Sequence, residues 1–144
     1  MIHSMTPRSM LKDSQGSAMV EFAILAPTIF ALLIGVFQIG LQMFGYNAIR
    51  SIAADTARFT IIEYQKRDIL VAEQIENKAY ALAVNAPYGL NVDNLTATVT
   101  TPTTDITGTK KFQIDLTYVG PNPLSFFGVP SPTMRTTRVV YVQA

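Results

Sequence analysis

Between Glu21 and Arg50 the chain carries no charged residue. The run Phe22 to Ile49, FAILAPTIFALLIGVFQIGLQMFGYNAI, exceeds the ~20 residues that a helix needs to cross ~30 Å of hydrocarbon. This feature predicts a membrane helix over 17–45 in a lipid bilayer, and the remaining chain is short enough for one small domain. Arg8 and Lys12 against Asp13 make the stretch before it net basic, and no dense Lys/Arg cluster follows it. The positive-inside rule then places the N-terminus in the cytoplasm and the C-terminal part in the periplasm. A cleaved secretory signal is disfavoured, because the apolar stretch outruns the ~7–15-residue signal core, contains Pro27 and lacks an A-x-A-like site.

Composition removes several function classes. The formal net charge of +1 leaves no basic footprint for nucleic acid. With no cysteine and a single histidine, His3, the chain cannot build a thiolate nucleophile, a His-based triad or a multi-His metal centre. The carboxylates are scattered over polar faces without a phosphate loop or metal-ligand spacing. We therefore expect no enzyme, no catalytic residues, no cofactor and no metal.

Four zones follow. Residues 1–16 are polar and aperiodic and read as a leader. Beyond the span 17–45, Ile49, Ile52, Ala53, Thr56, Ala57, Thr60 and Ile61 recur at helical spacing, so the helix continues as an amphipathic stalk over 46–64. Residues 65–144 read as a small α+β head. In it Asp68 is the expected N-cap of a second helix whose face is Ile69, Ala72, Ile75, Ala79, Leu82 and Ala86. Leu95, Ala97 and Val99 alternate with threonines, and Phe112, Ile114, Leu116 and Tyr118 alternate with polar residues, which predicts a hairpin turning near Gly108. Arg138 to Val142 forms a third strand after GPNPLSFFGVPSP. The expected fold is thus α+β, with the second helix packed on a small antiparallel three-stranded sheet. Phe126 and Phe127, beside so small a sheet, read as core rather than as an exposed docking patch.

The stretch Gln15 to Pro27, QGSAMVEFAILAP, places Glu21 at the edge of the apolar run. A carboxylate at the bilayer centre costs roughly 2.5–3.5 kcal/mol on insertion scales, whereas among headgroups the cost is small. Gly16 has no side chain and disfavours helix, which predicts an extended Gly16–Ser17 bond. Ser17 and Glu21 lie one helical turn apart. Pro27 lacks an N–H and clashes with the carbonyl of Ala23, so a kink or local unwinding is expected there, unless it is a tolerated membrane proline. Ala23, Pro27, Ala31 and Gly35 recur every four residues, and Gln38 and Gln42 extend that face. Such a stripe suits close helix packing in lipid, although small residues also cluster by chance. Gly35, Gly40 and Gly45 are five apart and share no face. Asp55 with Arg58, and Glu63 with Lys66 or Arg67, have the spacing of surface ion pairs.

The order glycine, four residues, glutamate, aromatic (Gly16, then SAMV, Glu21 and Phe22), ahead of a hydrophobic run with a proline, resembles the processing motif of Flp/Tad-branch type IV pilins. The layout is similar to TadE-like minor pilins, or pseudopilins, and the segment Ala53 to Arg58 shares their pattern. The resemblance implies cleavage by a membrane prepilin peptidase between Gly16 and Ser17, which frees an amine on Ser17. It implies partners among other pilin and minor-pilin subunits and the Tad inner-membrane assembly platform, in pilus assembly, adhesion and surface colonisation. The Ser17 amine of a neighbour displaced by about one turn would meet Glu21, an attraction of about 4 kcal/mol at ~4 Å and an effective dielectric of ~20 before desolvation. A head of this size departs from the short major Flp pilins and implies a minor component. The rival expectation is an uncleaved, membrane-anchored periplasmic binding or sensory module.

Overall fold

The computed structural model describes residues 14–66 and 69–143. The expectations placed on residues 1–13, and the Asp68 cap, lie outside them. Helix α1 runs from Ser14 to Gln65, α2 from Ala72 to Val84, and strands β1, β2 and β3 span Leu95–Thr100, Thr109–Val119 and Thr133–Gln143. The fold is α+β, with one antiparallel sheet in the order β1-β2-β3. The chain divides into two compact units, one reaching Phe37 and one beginning at Gln38.

In the first unit α1 is uncovered. From Gly16 to Phe37 every side chain is exposed except Ala26, Ile34 and Gly35, which are half-buried. Helix α1 is long and apolar enough to cross a membrane. It runs through Pro27 without interruption. The local unwinding considered from the sequence is absent, because one missing N–H removes a single bond from a ladder that many apolar residues sustain.

The second unit is built around the sheet. Ile49, Ile52 and Ala53 from α1, Ile75, Ala79 and Ala83 from α2, and Phe112, Ile114 and Leu116 from β2 share one buried cluster. Residues 46–64, expected as a stalk standing apart from a head at 65–144, are thus a wall of the head's own core. The reason is area: a three-stranded sheet must cover its apolar face, and α2 alone is too short to do so. The hidden face of α1 begins at Gln38, with Gly45, Ala48, Thr56 and Thr60 also buried. The uncovered membrane-length segment therefore ends near residue 37 rather than 45, and 17–37 spans roughly 30 Å at 1.5 Å per residue.

Strand alternation is as expected, but β3 starts at Thr133 rather than Arg138 and pairs with the whole of β2, from Thr109 opposite Gln143 to Val119 opposite Thr133. Gly108, at φ +76°, supplies the left-handed residue of the β1–β2 turn. Helix α2 starts later than its apolar pattern suggests. Ile69 precedes it and is exposed, Ala86 follows it and is exposed, and Ala83 takes the buried place. The Gln74 side chain accepts the Val71 N–H at 3.2 Å, satisfying one donor of the first turn. Along the outer edge of β1, the N–H of Ala97 donates to the Tyr80 hydroxyl at 3.1 Å and that of Val99 to the Glu76 carboxylate at 2.7 Å. Helix α2 thereby covers a sheet edge that would otherwise present free donors.

Candidate assembly segment and its anchor in the head

Two regions carry the residues singled out in the sequence. The first is the start of α1. Gly16 and Ser17 lie inside the helix, which begins at Ser14. The bond expected to be extended is in the first turns of a helix, since the roughly 1 kcal/mol cost of one glycine is small beside the propensity of the apolar run that follows. Ser17 and Glu21 share a face, and the Ser17 hydroxyl donates to the Glu21 carboxylate at 3.4 Å. Glu21 is exposed, Phe22 is 72% exposed, and Ala23, Pro27 and Ala31 are exposed on the following turns. A Cβ added at Gly35 would meet nothing within 4 Å. Within its unit this stripe is therefore open to a neighbour or to lipid.

The second region is where α1 enters the head, and here the expected stripe divides. Gln38 is 5% exposed, and its side-chain amide donates to the Pro121 carbonyl at 3.4 Å. Gln38, expected on the helix-packing face, is instead occupied inside the head, and Gln42 is half-buried. Two turns on, a Cβ at Gly45 would lie 3.1 Å from the Met134 sulfur and 3.4 Å from the Tyr118 ring. At Gly120 it would lie 2.8 Å from the Met134 methyl. Met134 thus fits between a glycine of α1 and a glycine after β2, which closes the sheet onto the helix. Sequence reasoning missed this contact. The three glycines of α1 beyond the proline could be sorted only by knowing what faces each, and of them Gly45 alone has a partner.

Asp55 does not pair with Arg58. Its carboxylate accepts the Tyr88 hydroxyl at 2.8 Å, which ties the turn after α2 to α1. This bond to Asp55, with burial and the nearby carboxylate charge, raises the Tyr88 phenol above its ordinary value of 10.0. Glu63 and Lys66 do pair, at 2.8 Å. Phe126 and Phe127, expected in the core, are 91% and 70% exposed. They occupy a 3₁₀ turn, Ser125–Phe127, closed by Gly128 at φ +74°, in the loop that Gln38 holds through Pro121. The core is already filled by one row from each strand, so the loop's rings have no place in it. No group of three or more metal-ligating side chains occurs among the described residues.

None of the curated proteins or solved structures compared with the chain matches it. A family model does match, over the region just described, beginning at Gly16 and ending at Arg58 within α1. Residues 16–58 are thus similar to the family described as TadE-like protein, and together with the long apolar helix this similarity fits a pilin-like component of the Tad system.

Proposed function

We propose that this chain is a non-enzymatic, single-pass prepilin-like subunit, cut by a prepilin peptidase between Gly16 and Ser17 and used in Tad-type pilus assembly. The observation that carries the reading is the coincidence of the TadE-like match, which starts at Gly16, with an apolar helix whose outer faces are uncovered. Its N-terminus faces the cytoplasm and its head the periplasm. Because Gly16–Ser17 lies in the first turns of α1, the peptidase must unwind only a helix end, where few bonds hold the backbone. The released amine gives Glu21 a cationic partner on an adjacent subunit, which sets the axial register of assembly. The face Ala23, Pro27, Ala31 and Gly35 lies against neighbouring helices.

Intact-mass measurement of the protein from a host carrying its prepilin peptidase tests this reading. A mature chain beginning at Ser17 is expected, and Gly16→Leu is expected to leave the longer form in the membrane. A chain that retains Met1 beside an active peptidase overturns processing. Normal maturation of Gly16→Leu shows that another bond is cut.

A further inference from the structure

The loop between β2 and β3 is unlike the rest of the head. No charged residue occurs from Leu116 to Met134, and the loop exposes Phe126 at 91%, Phe127 at 70% and Val129 at 42%. The two rings stack edge to face, with centroids 5.5 Å apart. The loop is a held shape: Asn122 donates to the Val129 carbonyl at 2.7 Å and accepts the Leu124 N–H at 3.0 Å, and Gly128 closes the turn. Exposed rings on an ordered, uncharged loop mark a surface that meets something apolar.

Its place within the head says what that is. Strand β2 lies along α1 with Phe112 against Tyr64, ring centroids 5.7 Å apart, and Tyr118 beside Gly45. The β2–β3 loop therefore falls at the Gln38 end of the head's helix, and Gln38 bonds to Pro121 directly. Gln38 follows in the chain the last residue of the uncovered, membrane-length segment. The same end of the head also exposes Ile39, Met43 and Phe44. The opposite end, around the β1–β2 turn, carries Asp105, Lys110 and Lys111. The loop is thus an uncharged aromatic protrusion at the point where the chain leaves the span; Asp93, two residues before Leu95, and Arg135, opposite Thr117, lie at the same end of the sheet but outside the loop.

We infer that Phe126 and Phe127 dock the head into the interfacial layer of the bilayer that holds α1, making the loop a second membrane contact. Aromatic side chains favour the boundary between headgroups and acyl chains, and an uncharged loop enters it without desolvating an ion. The head of an unassembled subunit is then held down on the membrane surface. Withdrawal of the loop accompanies removal of the subunit from the bilayer. This inference rests on the membrane-anchor reading of α1.

The chain contains no tryptophan, so a single introduced one reports alone. Full-length Phe126→Trp, Phe30→Trp and Ile106→Trp are reconstituted separately into phosphatidylcholine vesicles doped with lipid brominated near the top of its acyl chains. Position 30 reports the span, and position 106, exposed in the β1–β2 turn, reports the far end of the head. The indole at position 126 is expected to be quenched by the brominated lipid and shielded several-fold from aqueous iodide relative to the one at position 106, at every protein-to-lipid ratio. Equal iodide quenching at positions 126 and 106, with lipid quenching at position 30, overturns the loop contact while the anchor stands. Absence of lipid quenching at position 30 overturns the anchor itself. Shielding at position 126 that fades as protein is diluted in lipid, without bromine quenching, assigns the loop to a second copy of the chain and overturns the lipid contact.

Discussion

Met134 reaches from β3 toward two glycines, Gly45 and Gly120, and side chains at either would collide with it. Gly45→Leu is expected to destabilise the head by about 1–3 kcal/mol through overpacking. Adding Met134→Ala should recover part of that loss, because the Met134 sulfur and methyl group are the obstructing atoms. Gly35→Leu, with nothing within 4 Å of its Cβ, should leave the head's unfolding unchanged. Thermal unfolding in detergent measures all three, and equal effects at residues 35 and 45 would contradict the assigned contact. At Tyr88 the raised phenol favours the protonated form in the folded state. Its stabilisation is present below the ordinary value of 10.0 and is lost as pH rises through the higher folded value. In alkaline titration by ultraviolet absorbance, the component removed by Tyr88→Phe should have a midpoint above that value, and Asp55→Asn should lower it. At Glu21, replacement by alanine is expected to preserve cleavage and weaken co-assembly with other pilin subunits. Unchanged incorporation would sink the pairing of Glu21 with a neighbour's Ser17 amine.

Among elements, α2 does more than cover the sheet. Glu76 and Tyr80, one turn apart, take the outward N–H groups of β1 at Val99 and Ala97. Combining Glu76→Ala with Tyr80→Phe should cost about 1–3 kcal/mol, the usual range for part-buried donors left without partners. Amide exchange should rise at Ala97 and Val99 before it rises on β2, and uniform acceleration across the sheet would argue against an edge-specific role. The strands themselves were legible from period-two alternation, since Phe112, Ile114, Leu116 and Tyr118 are buried where the pattern puts them. Their extents were not. Strand β3 runs back to Thr133 because β2 offers it a full-length partner, a property that its own residues do not encode. The boundaries of α2 moved for a similar reason: Ile69 is apolar and correctly spaced, yet it lies before the helix starts.

For the molecule as a whole, the division falls at Gln38 rather than between a stalk and a head. A chain starting at Gln38 keeps Ile49, Ile52, Ala53, Thr56 and Thr60 in the core and is expected to unfold cooperatively. A chain starting at residue 65 loses that wall and is expected not to fold. Circular dichroism melting of the two fragments decides, and a cooperative transition in the shorter one would show that α1 is dispensable to the head.

The sequence by itself determined the membrane-length run, the order of the elements, the sheet's buried rows and the motif from Gly16 to Phe22, because these depend on local composition and period. Tertiary structure alone decided which face of α1 belongs to the head, where the uncovered span stops, which glycine needs its missing side chain, and that Asp55 answers Tyr88 rather than Arg58. It also placed Phe126 and Phe127 outside the core. Each of these depends on the partner brought close by folding, and a residue's own type and spacing do not name that partner.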